Sequence, residues 1–154
     1  MGDKDQKRWV KRKSESPETS QPLSDSLDED QILVRGVHRT IAFAKNENGR
    51  MLSKEFLGDT KSDKSLLDLK ADVIDVCRTL ADTGWSNRPS GYKHERDKIN
   101  AVTCGRIRVA AFAEGNVVFL THAFEKKSNA WPNDEFEKAN TIRKQQLARL
   151  GRRS

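Results

Sequence analysis

Hydrophobic and polar residues alternate along residues 37–45, and this period of two predicts a β-strand. The sequence NENG at residues 46–49 favours a turn, and a short helix is predicted to follow at residues 53–57. Along residues 63–83 the apolar positions instead recur every three or four residues, which predicts a longer helix with one face on a core. Gly84 is suited to end this helix.

Two near-continuous apolar runs, at residues 106–113 and 116–124, dominate the second half of the chain. The intervening Glu114–Gly115 predicts a tight turn, so that the two runs form a β-hairpin. A strand at residues 99–103 precedes the hairpin, and a helix at residues 135–150 follows it. This order predicts an α+β domain with helices packed on one face of a small, largely antiparallel sheet. The other face would then be free to bind a partner.

The N-terminal stretch differs in composition from the rest, because residues 1–30 contain few large apolar side chains. Such a stretch cannot bury enough apolar surface to offset the entropy lost on ordering. We therefore expect a disordered tail over residues 1–31, one domain over residues 32–150 and a short basic end over residues 151–154. The basic part of the tail, at residues 4–13, is interpreted as a solvated leader, with nucleic-acid contact as the alternative.

Charge and residue usage narrow the class of partner. The net charge is +6, which favours a polyanionic partner such as RNA, DNA or an acidic protein, although a solvated basic face is the alternative. The sequence contains neither an apolar run of about 18 residues nor a secretory signal, so we expect a cytoplasmic protein without a membrane partner. Cys77 and Cys104 lack a metal-binding spacing, and the three histidines are scattered. We therefore expect reduced thiols, no metal site and no cofactor.

Arginines in the first hairpin strand are the strongest chemical signal. Arg106 and Arg108 are two residues apart, so they are predicted to share one face of the strand. A two-residue turn at Glu114–Gly115 would put Arg108 opposite Thr121. It would also put His122 on the other face of the sheet, although a register slip of one residue would reverse this. A structural role is the favoured interpretation of His122.

Lysines after the hairpin extend this basic cluster. Lys126 and Lys127 leave the second strand close to Arg106, and the basic loop at residues 93–98 could reach the same surface. Such a cluster suits an RNA backbone, and it could stabilise charge on a phosphate attacked by the neighbouring 2′-hydroxyl without a metal. The equally weighted alternative is that the two arginines pair with acids on the sheet surface.

The run from residue 106 to residue 139 resembles the phage-derived, HigB-like branch of the RelE/ParE superfamily of toxins. That branch reads as an arginine strand, a turn, a Leu-x-His-Gly-Phe-x-Lys-Lys strand and a helix with Glu-x-x-x-Ala. The matching positions are Leu120, His122, Phe124, Lys126, Lys127, Glu135 and Ala139. The similarity extends over roughly residues 37–150.

The resemblance implies the toxin of a type II toxin–antitoxin system, namely a metal-independent, ribosome-dependent mRNA endoribonuclease. It implies an antitoxin partner, typically of the helix-turn-helix type, and messenger RNA on the ribosome as substrate. Arg108 and Lys127 are the expected catalytic residues. The expected nucleic-acid-binding residues are Lys93, His94, Lys98, Arg106 and Lys126, and the further candidates are His122 and Trp131.

The chain departs from the family pattern at residues 101–103, where Ala-Val-Thr replaces the Glu-Leu-Arg of many relatives. Arg106 is the candidate replacement for the missing arginine, and Trp131 is the candidate for the family tyrosine that stacks on a base. The departure keeps two other hypotheses open. One is a toxin-like protein without catalysis, either a ParE-like inhibitor of a DNA enzyme or a degenerate copy, and the other is a basic nucleic-acid-binding module.

Overall fold

A single sheet of six strands organises the computed structural model, which describes residues 21–83, 90–127 and 130–152. The strands are β1 (Ile32–Arg35), β2 (Thr40–Phe43), β3 (Tyr92–Arg96), β4 (Ile99–Cys104), β5 (Ile107–Glu114) and β6 (Val117–Glu125). Their order across the sheet is β1-β2-β6-β5-β4-β3. Neighbouring strands are antiparallel except β2 and β6, which are parallel. The helices are α1 (Leu52–Gly58), α2 (Lys64–Asp82) and α3 (Asn133–Arg149).

Helix α2 confirms the long helix that the apolar spacing predicted. The Asp63 side chain accepts a hydrogen bond from the Leu66 backbone N–H at 2.8 Å and caps the start of the helix. Val73, Cys77 and Leu80 are fully buried and lie in one core cluster with sheet residues. The periodic residues therefore form the core, as their spacing indicated.

Both faces of the sheet are covered, although by different elements. Helices α1 and α2 pack on the face that holds Ile41, Val109 and Leu120. The opposite face packs against α3 and the segment of residues 21–31, with Phe112 and Phe119 stacked at a ring separation of 5.0 Å. The α+β class and the largely antiparallel sheet are confirmed. The expectation that the helices pack on one face only is not confirmed, because α3 lies on the face that was expected to be free.

The apolar composition of the two hairpin strands explains this arrangement. Consecutive residues of β5 and β6 are apolar, so both faces of these strands bury apolar side chains. Ile142 and Leu147 of α3 join the second core cluster and cover Phe119. An open second face would have exposed these rings to water.

Residues 21–31 belong to the packed structure rather than to a tail. They form two short 3₁₀ turns, and Leu23 and Leu27 are buried in the core under α3. The Gln31 side-chain N–H donates to the Phe43 carbonyl and to the Gln146 side chain, both at 2.9 Å. The predicted boundary at residue 31 therefore differs from the structure. Residues 1–20, with the basic stretch at residues 4–13, lie outside the described residues.

The hairpin register differs from the predicted one. The turn residues are Gly115–Asn116, because Glu114 pairs with Val117 rather than standing in the turn. A β-bulge in β6 then adds a further shift. As a result, Arg108 lies opposite Phe124 instead of Thr121.

Candidate functional site

Arg108 points to the α3 side of the sheet. Its neighbours Ile107 and Val109 belong to the core under α2, and side chains alternate along a strand. The guanidinium Nη1 donates to the carbonyls of Gly105 at 2.7 Å and Ile107 at 3.0 Å. No carboxylate of the described residues forms an ion pair with it. Arg108 is therefore a partly exposed cation held by backbone carbonyls, with its charge not neutralised by an acid.

The strands on either side of β5 supply the immediate neighbours of Arg108. Thr103 lies opposite it on β4, and Phe124 lies opposite it on β6. Directly paired residues of antiparallel strands share a face, so all three side chains lie on the α3 side. Thr103 occupies the place where the family pattern has an arginine. Phe124 was not among the residues that the sequence singled out for the site, because the predicted register put Thr121 at this place.

Aromatic rings form the wall of the site next to β6. The Phe124 ring meets the Trp131 ring edge-on at 4.9 Å, and Trp131 in turn stacks on Phe136 of α3 at 4.5 Å. Trp131 is therefore close to Phe124 and half-buried, as part of a ring cluster. It contacts Phe124, the strand partner of Arg108, and its role in stacking on a base stays a prediction.

Arg106 lies apart from Arg108, and the predicted shared face is wrong. Gly105 has a φ of +56°, and a Cβ at this position would approach the Leu69 side chain to 2.7 Å, so this turn favours glycine. The turn directs Arg106 towards the start of α2, where it pairs with Glu125 at 2.9 Å and Asp63 at 3.8 Å. The alternative of pairing with acids therefore holds for Arg106.

The two lysines after β6 stay close to the same end of the sheet. The Lys126 backbone N–H donates to the Arg106 carbonyl at 2.7 Å and extends the pairing of β5 and β6. Lys126 is half-buried, and Lys127 is exposed. Neither ammonium forms an ion pair within the described ranges.

The remaining predicted basic residues are divided between the two faces of β3 and the far end of β4. Lys93 lies on the α3 side, and its ammonium is 3.6 Å from the Glu95 carboxylate. His94 lies on the α2 side, where its Nδ1 is 3.1 Å from the Asn100 Oδ1. Lys98 is exposed in the turn between β3 and β4, at the other end of β4 from Thr103. The structure thus brings Lys93 to the face of Arg108 but not His94 or Lys98.

His122 is buried, with 2% of its side chain exposed, and a bulge in β6 turns it towards α3. Its predicted place on the other face from Arg108 is therefore wrong. The imidazole Nε2 lies 2.8 Å from the Glu135 Oε1. Burial lowers the pKa of His122 below its usual 6.5, although the hydrogen bond and the charge of Glu135 act in the opposite direction. A neutral imidazole that donates Nε2–H to the carboxylate satisfies these constraints.

Three further features of the described part of the chain concern its thiols, its metal-ligating side chains and the apolarity of its helices. Cys77 and Cys104 are free thiols, and burial raises the pKa of Cys77 to about 12. No group of three or more metal-ligating side chains comes together in residues 21–83, 90–127 and 130–152. Among the helices described, none combines the length and apolarity that crossing a bilayer requires.

The fold and the site define a small α+β protein with a cationic patch, which consists of Arg108, Lys93, Lys126 and Lys127. Residues 67–144, about half of the chain, match the family described as phage-derived protein Gp49-like (DUF891). The chain therefore belongs to this family, which is toxin-like and associated with RelE proteins. No curated protein matches the chain. A family of this kind indicates an antitoxin as the general type of partner.

Proposed function

We propose that the protein is the toxin of a type II toxin–antitoxin system and cleaves messenger RNA on the ribosome without a metal. The observation that carries this proposal is the state of Arg108. Its guanidinium is fixed by two backbone carbonyls and partly exposed, and it has no ion-pair partner among the described residues.

A guanidinium in this state is suited to a phosphate. The carbonyls of Gly105 and Ile107 engage Nη1, and the other N–H groups form no hydrogen bond to a described residue. A guanidinium presents its donors as a planar fork that matches two phosphate oxygens. Because Arg108 is held in place beforehand, its charge can stabilise the phosphorane-like state formed when a 2′-hydroxyl attacks its own phosphate.

The lysines complete the proposed nuclease site. Lys127 is exposed after β6 and carries the second cationic role, with Lys126 and Lys93 binding flanking phosphates. Trp131 joins the ring cluster that borders this patch. Lys98, His94 and Arg106 lie outside the patch, so this proposal does not depend on them.

The proposal is tested by inducing the protein in a host that lacks its antitoxin and mapping the 5′ ends of cellular mRNAs. We expect cleavage that requires translation, and we expect Arg108→Ala to reduce its rate by about 100–1,000-fold. Arg78→Ala is the matched control, because Arg78 is an exposed arginine on α2 that pairs with Asp75. Intact mRNA and normal growth with the unaltered protein would reject the nuclease proposal.

The proposed antitoxin is a small helix-turn-helix protein with an acidic segment that covers the Arg108 patch. Coexpression should give a stable complex in which mRNA cleavage is suppressed. Release of the complex by moderate salt would support an electrostatic contact with the patch.

A binding protein without catalysis is the second candidate, and the neighbourhood of Arg108 favours it. Thr103 stands where the family pattern has an arginine, and Arg106 cannot replace it because Arg106 pairs with Glu125 on the other side. RNA binding that weakens with salt but gives no cleavage would support this candidate. Inhibition of DNA supercoiling with intact mRNA would identify a ParE-like activity.

A further inference from the structure

His122 and Glu135 connect strand β6 to the first turn of α3. The imidazole Nε2 and the carboxylate Oε1 are 2.8 Å apart, and His122 is almost completely buried. A hydrogen bond from an imidazole to a carboxylate in a poorly solvated place is stronger than a neutral one. This contact therefore fixes where α3 begins relative to the sheet.

The His122 ring also contacts the aromatic wall of the site. It stacks on Phe124 with a ring separation of 5.6 Å, and Phe124 is the residue directly opposite Arg108. Phe124 then meets Trp131, which lies two residues before the start of α3. A continuous series of contacts thus runs from Glu135 through His122 and Phe124 to the strand pair of Arg108.

A second attachment holds the same turn of α3 from the other edge of the sheet. The Arg96 Nη1 of β3 donates to the Asn133 Oδ1 at 3.1 Å. Its guanidinium lies over the Phe136 ring at 3.9 Å. Arg96 therefore attaches this turn at the β3 edge of the sheet, and the contact of His122 with Glu135 attaches it at β6.

We propose that His122 and Glu135 are a positioning pair, which holds Phe124 and Trp131 in the wall beside Arg108 and so sets the shape of the RNA site. The assignment of RNA as ligand rests on the proposed function. His122 does not touch the substrate, because its side chain is covered by α3 and Phe124. It is therefore not a catalytic residue, although it lies two residues from the Arg108 strand partner.

The test uses Trp131 as a reporter that does not depend on activity. In the full chain with Trp9→Phe and Trp85→Phe, Trp131 is the remaining tryptophan. His122→Ala and the milder Glu135→Gln should shift its emission to the red and lower kcat/KM for RNA by up to about 100-fold. His122→Gln should restore both, because a glutamine amide can place an N–H donor near the position of the imidazole Nε2.

Glu137→Gln is the matched control, since it removes the same charge from an exposed residue of α3 that forms no ion pair with a described residue. Unchanged Trp131 emission and unchanged kcat/KM per folded molecule in His122→Ala and Glu135→Gln would overturn the proposal, even if the melting temperature fell. If the unaltered protein cleaves no RNA, the proposed nuclease function fails. The Trp131 emission of the same variants then still decides whether the pair positions the wall.

Discussion

Arg108 and Phe124 lie directly opposite each other on β5 and β6, with both side chains on the α3 side of the sheet. A guanidinium beside an aromatic ring offers a contact for a phosphate next to a surface for a base. Sites for single-stranded nucleic acid commonly combine these two contacts. The pairing depends on the bulge in β6, because the observed turn without a bulge would have brought Ala123 to this place.

Thr103, the strand partner of Arg108 on β4, allows a gain-of-function test. Thr103→Arg would add a second guanidinium on the same face, where the family pattern has an arginine. We expect RNA affinity to rise by about tenfold, and mRNA cleavage to rise with it. Binding measured at several salt concentrations checks this, because an added phosphate contact steepens the salt dependence. Thr79→Arg is the control, since it adds the same charge at an exposed site on α2.

Arg106→Ala should have a much smaller effect on activity than Arg108→Ala. Arg106 pairs with Glu125 and Asp63 on the α2 side, so its charge is already compensated away from the patch. We expect a loss of stability below about 1 kcal/mol, because the partners are well exposed. Urea unfolding and mRNA cleavage of the two variants should be compared side by side. Equal losses of cleavage would show that Arg106 contributes to the site.

The segment of residues 21–31 should contribute measurably to stability. Leu27 is buried to 8% exposure in the core under α3, so Leu27→Ala leaves a cavity and should cost about 2–3 kcal/mol. Val37 is 82% exposed, so Val37→Ala should change the free energy of unfolding by less than about 0.5 kcal/mol. Chemical denaturation of both variants measures the difference. A negligible effect of Leu27→Ala would contradict the packing of this segment.

Stability should fall as the pH is lowered below about 6.5, the usual pKa of a histidine. Burial lowers the pKa of His122 in the folded protein, so the unfolded chain takes up the proton at a higher pH. The unfolded state then binds more protons, and protonation favours unfolding between these two pKa values. Thermal unfolding from pH 5 to pH 8 should show this loss in the unaltered protein, and the His122→Gln variant should lose less. An identical pH dependence of stability in both proteins would show that His122 does not cause this loss.

Local patterns predicted the elements of this fold better than their arrangement. The buried face of α2, with Val73, Cys77 and Leu80, could be predicted because helical spacing depends only on neighbouring residues of the same helix. The packing of residues 21–31 could not be predicted, because the Gln31 side chain bonds to Gln146, which is 115 residues away in the sequence. A chain segment with few apolar residues can still be ordered if two leucines and one glutamine fit a surface formed elsewhere.

The candidate site was predicted only in part, because it also depends on contacts between segments that are distant in the sequence. Spacing identified Arg108 as a strand residue, but its partners depended on a turn one residue further along and on a bulge without a sequence signature. Arg106 was assigned to the wrong surface because the strand begins one residue after it. The family pattern named His122 and Glu135 separately, and only the fold shows that they contact each other.

The two ends of the described chain meet at the turn between β5 and β6. Ser24 bonds to Asn116 there, and Arg152 pairs with Glu114 at 2.8 Å. A short peptide could therefore join residue 152 to residue 21, and new termini could be opened at the exposed Asp97–Lys98 turn. Such a circular permutant would retain the strand order and the cationic patch, because the joined ends lie at the end of β5 that is far from Arg108.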